Sequence, residues 1–111
     1  MTISYEDFQK IDMRVGRIVR AEEFPKARKP ALKLWIDFGP ELGIKQSSAQ
    51  LTHLYTVKQL TNKLIVGVVN FPSKRIADFI SEVLVLGTEV EPDVVLLLDP
   101  GKDAIVGAKV F

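Results

Sequence analysis

A chain of 111 residues, 47% of them hydrophobic and 26% charged, is long enough for one core and too short for a second, so a single domain over 1–111 is expected. The absence of cysteine excludes disulfides, thiolate metal sites and cysteine nucleophiles, and fits a reducing compartment. The net charge of +1 hides an asymmetry: residues 1–75 hold 13 Lys and Arg against 7 Asp and Glu, whereas residues 76–111 hold 2 against 7.

Met1 to Lys10 carries Glu6 and Asp7 and no apolar run, so neither a secretory nor a transit signal is expected. The longest apolar runs, Leu64 to Val69 and Val94 to Leu98, fall far below the ~20 residues of a membrane helix, which predicts a soluble, cytoplasmic chain without membrane insertion. Ser4 followed by Asp7 has the spacing of a capping pair, and Phe8 with Ile11 supplies an apolar face, which predicts a short opening helix ending near Asp12. Met13 to Glu22 reads as a long first strand through the β-branched Val15, Ile18 and Val19, with a bulge expected at Gly16.

Leu32, Leu34, Ile36 and Phe38 alternate with Lys33, Trp35 and Asp37, the pattern of a half-buried second strand. Gly39-Pro40 makes a turn, and Gly43 to Gln50 continues as a polar third strand. Thr56 with Gln59 forms a second capping pair ahead of a short helix, after which Leu64 to Asn70, Glu82 to Leu86 and Val94 to Leu98 read as strands and Ala108 to Phe111 as a further one. The succession is mainly β and compatible with a small closed or partly open barrel. A helix between strands three and four is where an OB-fold places one, although periodicity alone does not separate this from other small barrels.

Catalytic signatures are weak. His53 is the only histidine, and beside Thr52 and Leu54 it reads as a solvated turn residue rather than a base or metal ligand. Ser47-Ser48 lacks the nucleophile-elbow glycines, no phosphate-binding glycine motif occurs, and Glu22-Glu23 and Glu89/Glu91 read as surface charge. An enzyme resting on Ser47, His53 and scattered carboxylates is therefore disfavoured, and no metal or cofactor is expected.

Asp12-Met13-Arg14-Val15-Gly16, Asp37-Phe38-Gly39, Asn70-Phe71-Pro72-Ser73-Lys74-Arg75 and Ser81-Glu82 are similar, in that order, to the blocks of the tRNA-binding domain family. Glu22-Glu23-Phe24, Lys45-Gln46-Ser47-Ser48-Ala49-Gln50 and Ser81 to Leu86 resemble its CsaA branch, the export-related chaperones. The chain departs from the synthetase appendages of the family at Ala27-Arg28-Lys29-Pro30 and at Val83-Leu84, and from the CsaA branch at Ser73 and Asp78. The resemblance implies a five-stranded OB-fold barrel with short helices at the N-terminus and between strands three and four, plus N- and C-terminal extensions for dimerisation.

It further implies a tRNA or other structured-RNA partner for Lys33, Lys45, Ser47, Asn70, Lys74, Arg75 and Ser81, with cations on phosphates and the polar groups on sugar or bases. Trp35 offers a ring for stacking, and packing in a core or interface is the somewhat stronger reading for it. The alternative is a chaperone for unfolded or preprotein polypeptides, in contact with export machinery, using Trp35, Phe71, Ile76, Phe79 and Leu84. The homodimer that the family implies would pair through Tyr5, Phe8, Ile11, Val110 and Phe111, apolar residues beyond the needs of one barrel.

Overall fold

The computed structural model describes residues 1–111. Helix α1 (Tyr5–Gln9) leads into strand β1 (Met13–Glu23), β2 (Leu32–Asp37) and β3 (Ile44–Ala49), and α2 (Val57–Leu60) separates these from β4 (Leu64–Val68). Then come β5 (Lys74–Ile76), β6 (Phe79–Ser81), β7 (Leu84–Val85), β8 (Gly87–Glu91) and β9 (Val94–Leu97). Five strands form one sheet in the order β3-β2-β1-β4-β7, while β5–β6 and β8–β9 are separate hairpins. Neither helix is long and apolar enough to cross a membrane.

Both expected capping pairs form. Ser4 Oγ accepts from the Asp7 N–H while the Asp7 carboxylate accepts from the Ser4 N–H, and Thr56 and Gln59 do the same for α2. Each box satisfies two backbone donors that a helix start leaves free, so helices of five and four residues persist where propensity alone would not hold them. The bonds from Ser4 hold the Asp7 carboxyl below its ordinary value. That cap is complete at neutral pH and is lost as pH falls through the lowered folded-state value.

Leu32, Leu34, Ile36 and Phe38 are all buried, as their alternation demands, together with Ile18, Leu51, Leu60 and Ile65 inside the barrel. The Phe38 ring fills a slot made by two glycines. A Cβ on Gly16 would stand 2.7 Å from Phe38 Cε1 and 2.6 Å from Ile36 Cγ2, and one on Gly67 would stand 3.1 Å from Phe38 Cζ. Gly16 therefore makes room for the ring in a strand that stays regular there. The bulge expected at Gly16 falls instead between Ile18 and Arg20, whose partners on β2 are the adjacent Ile36 and Trp35.

Polar side chains close the seam between β3 and the approach to β7. The Glu82 and Val83 N–H groups donate to the Gln46 carbonyl, Glu82 Oε1 accepts from the Gln46 N–H at 3.0 Å, and Ser81 Oγ accepts from the Ser48 N–H at 3.1 Å. The tail returns along β1: Val15 N–H donates to Ala108 O, Gly107 N–H to Val15 O and Val110 N–H to Met13 O. Arg14 fastens it, donating to Asp12 Oδ1 at 2.6 Å and to Gly107 O at 3.2 Å. The Asp12 carboxylate holds the Arg14 guanidinium above its ordinary value.

Candidate nucleic-acid interface

Strands β2 and β3 pair with Lys33 opposite Ser48, Trp35 opposite Gln46 and Leu34 opposite Ser47. Directly opposed residues lie on the same side of a sheet, so the outer face carries Lys33, Trp35, Gln46 and Ser48, and the inner face carries Leu34, Ile36, Lys45 and Ser47. Lys45 and Ser47, both expected at the RNA, thus stand at inward positions. Ser47 is 1% exposed and its hydroxyl donates to Val83 O at 2.9 Å, so its expected role as an RNA contact is corrected to a closure of the barrel. Lys45, partly buried opposite Ile36, pairs with Glu82 at 4.0 Å.

Two other polar residues expected at the ligand are engaged within the chain. Asn70 Oδ1 accepts from the Asp12 N–H and its Nδ2 donates to Lys10 O, which clips the end of α1 to the end of β4. Ser81 closes the seam described above. These contacts give Asn70, Ser81 and Glu82 partners within the chain.

The outer face carries a second cluster of side chains. Phe24, Ala31 and Phe79 are buried together with Ala27, Trp35 and Ile76 against them. Phe79 meets both Phe24 and Trp35 edge-on at 5.6 Å between centroids, Arg20 lies 4.7 Å over Trp35, and Lys33 lies 4.9 Å from Phe24 and 5.3 Å from Phe79. With its amide oriented to suit both neighbours, Gln46 accepts from Trp35 Nε1 at 3.1 Å and donates to Ile80 O at 3.0 Å. The β5–β6 hairpin is thereby pinned onto the sheet. Phe79, named for the alternative peptide surface, is buried in the packing that holds this hairpin, and Ile76 and Trp35, for which packing was the stronger reading, lie partly buried against it. Phe71 and Leu84 remain 55% and 50% exposed and border one cleft with Pro72, Lys74 and Val83.

Pinning the hairpin sets its cations opposite those of the β1–β2 connection. Lys26, Arg28 and Lys29 on one wall face Lys74 and Arg75 on the other across a groove of about 640 Å³. Ser48 and Gln50 are among its remaining lining residues, and no carboxylate lines it. Arg75 donates from Nε to Ala77 O at 3.1 Å, which leaves its terminal nitrogens for a ligand. Lys74 and Arg75 were legible as candidates from sequence. Lys26, Arg28 and Lys29 were missed as site residues, although a basic run between Pro25 and Pro30 in the first inter-strand loop was the available signal.

His53 is exposed and shares a shallow cleft with Lys29, Pro30, Gln50 and Asp93. At the opposite end of the sequence order, Tyr5, Phe8, Ile11, Val110 and Phe111 line one cleft, with Tyr5 and Phe111 70% and 97% exposed.

The strand order and the helix between β3 and β4 define an OB-fold, with the cationic groove between the β1–β2 connection and the β5–β6 hairpin. A family model described as "Putative tRNA binding domain" matches residues 13–109. The chain belongs to the tRNA-binding domain family and, within it, to the CsaA branch. It is 50% identical to the chaperone CsaA of Bacillus anthracis, with all of both chains covered and a TM-score of 0.94. It is 52% identical to the CsaA chaperone protein of Picrophilus torridus, with 99% and 100% of the chains covered and a TM-score of 0.92. It is also 36% identical over 108 residues to the methionine–tRNA ligase of Archaeoglobus fulgidus, a match covering 97% of this chain and 16% of that enzyme. The chain spans 14–16% of the length of the curated ligases it matches.

Proposed function

We propose that this domain binds tRNA or another structured RNA in the cytoplasm, without catalysis, through the groove between Lys26–Lys29 and Lys74–Arg75. The observation that carries the reading is the groove itself: five cations face one another with no carboxylate in the lining. It lies at the two connections by which OB barrels take oligonucleotides. Phosphate recognition needs this kind of cationic lining, whereas base reading needs open aromatic faces. Here the rings of Phe24, Trp35 and Phe79 are taken up by one another and by Arg20 and Lys33. The groove is accordingly read as a binder of the folded RNA backbone in preference to splayed single strands. A fluorescence titration of labelled tRNA tests this: saturable binding that weakens with salt is expected, and no binding at low salt would overturn it.

A second reading, a chaperone for extended polypeptides linked to protein export, is supported by the exposed Phe71 and Leu84 beside Lys74 and by the likeness to CsaA chaperones. The same titration with a denatured polypeptide in place of RNA decides it.

Tyr5, Phe8, Ile11, Val110 and Phe111 are read as a homodimer face, since exposed apolar side chains gathered around one cleft are what a two-fold contact covers. Sedimentation is expected to give twice the mass of one chain and to return the single mass for Ile11→Asp/Phe111→Asp. A monomer before substitution would contradict the assignment.

A further inference from the structure

Asp78 stands beside Ala77 at the turn of the β5–β6 hairpin, on the rim of the cationic groove. Its carboxylate reaches the ammonium of Lys26 at 3.0 Å, joining the two walls through residues 52 positions apart. The side chains are 51% and 69% exposed, so the pair adds little to folding stability: each ion keeps much of its hydration and both lose rotamer freedom. Its effect is local and electrostatic. The hydrogen bond from Lys26, and then the charges of Lys26 and Lys33, hold the Asp78 carboxyl below its ordinary value, so it is ionised at neutral pH.

A phosphate entering the groove meets this charge beside the cations it seeks. Arg28, Lys29, Lys74 and Arg75 make no ion pair with a carboxylate, whereas Lys26 is occupied. Resting on the RNA-binding reading above, we infer that Asp78 limits the affinity of the groove by holding Lys26 out of phosphate contact. Four cations then bind the backbone, and the fifth becomes available only when the pair opens.

The test is a titration of labelled tRNA across a salt series with the unaltered protein, Asp78→Asn, Lys26→Ala and the double variant. Asparagine keeps the size of the side chain, so unchanged melting temperatures are expected. Asp78→Asn is expected to tighten binding by about 3- to 10-fold and to steepen the log–log salt dependence by roughly 0.7–0.9, the signature of one added phosphate contact. Lys26→Ala alone leaves the Asp78 charge unpaired beside the groove and is expected to weaken binding by about 2- to 5-fold, whereas the double variant should bind about as tightly as the unaltered protein. If the unaltered protein binds and Asp78→Asn leaves binding unchanged or weaker, or if its gain survives Lys26→Ala, the inference is overturned while the RNA reading stands. If the unaltered protein binds no tRNA at low salt, the RNA reading falls and the role of Asp78 falls with it.

Discussion

Replacing Arg28, Lys29, Lys74 and Arg75 together by alanine is expected to weaken tRNA binding at low salt by at least about 100-fold. All four side chains are exposed and border the same groove, so the substitutions remove charge without opening the core. Each lysine or arginine that neutralises a phosphate releases condensed counterion, and losing four contacts removes up to about 3 units from the slope of log affinity against log salt. The melting temperature is expected to stay within a few degrees of the unaltered protein. Retention of binding in the quadruple variant would place the RNA elsewhere on the barrel. Lys58, Lys102 and Lys109, which lie outside the groove, serve as a control set whose removal should cost only a fraction of this.

The largest expected loss of stability belongs to Phe38→Ala, about 3–5 kcal/mol, measured by denaturant unfolding. The ring is 1% exposed and fills the slot over Gly16 and Gly67, so its removal leaves a void between β1, β2 and β4 that backbone cannot fill. Against the ~5–15 kcal/mol that holds a domain of this kind folded, such a loss takes much of the native population's margin. The converse change, Gly16→Ala, adds a methyl where Ile36 Cγ2 and Phe38 Cε1 already stand too close, and should cost about 1–3 kcal/mol. Gly16→Ala with Phe38→Leu should recover part of that cost. Losses of the two single variants that simply add in the double variant would mean that ring and glycine do not share the slot.

What could be read from the sequence was what local chemistry fixes. The capping pairs Ser4–Asp7 and Thr56–Gln59 were legible because a hydroxyl and a carboxylate or amide three residues apart satisfy backbone donors whatever surrounds them. Strand β2 was legible because its inward residues are all apolar. Strand β3 misled because its inward positions include Lys45 and Ser47, and the bond that makes Ser47 tolerable inside, to Val83 O, comes from 36 residues away. Strand β8 is exposed along its whole length, so no alternation marks it, and the three-residue strands of the β5–β6 hairpin are too short to show a period.

The site follows the same rule. Lys74-Arg75 and the run Lys26 to Lys29 each read as basic loops. Their meeting depends on Phe79 lodging between Phe24 and Trp35, a contact that no sequence spacing encodes. The charge asymmetry along the chain likewise became a surface feature only once the barrel set two of its connections face to face.

The most direct test of the central claim is the salt dependence of tRNA binding by the unaltered protein. Four free cations on phosphates predict saturable binding at low salt with a log–log slope of about −3. A slope near zero, or no binding at low salt, would contradict the assignment of the groove as a phosphate-backbone site.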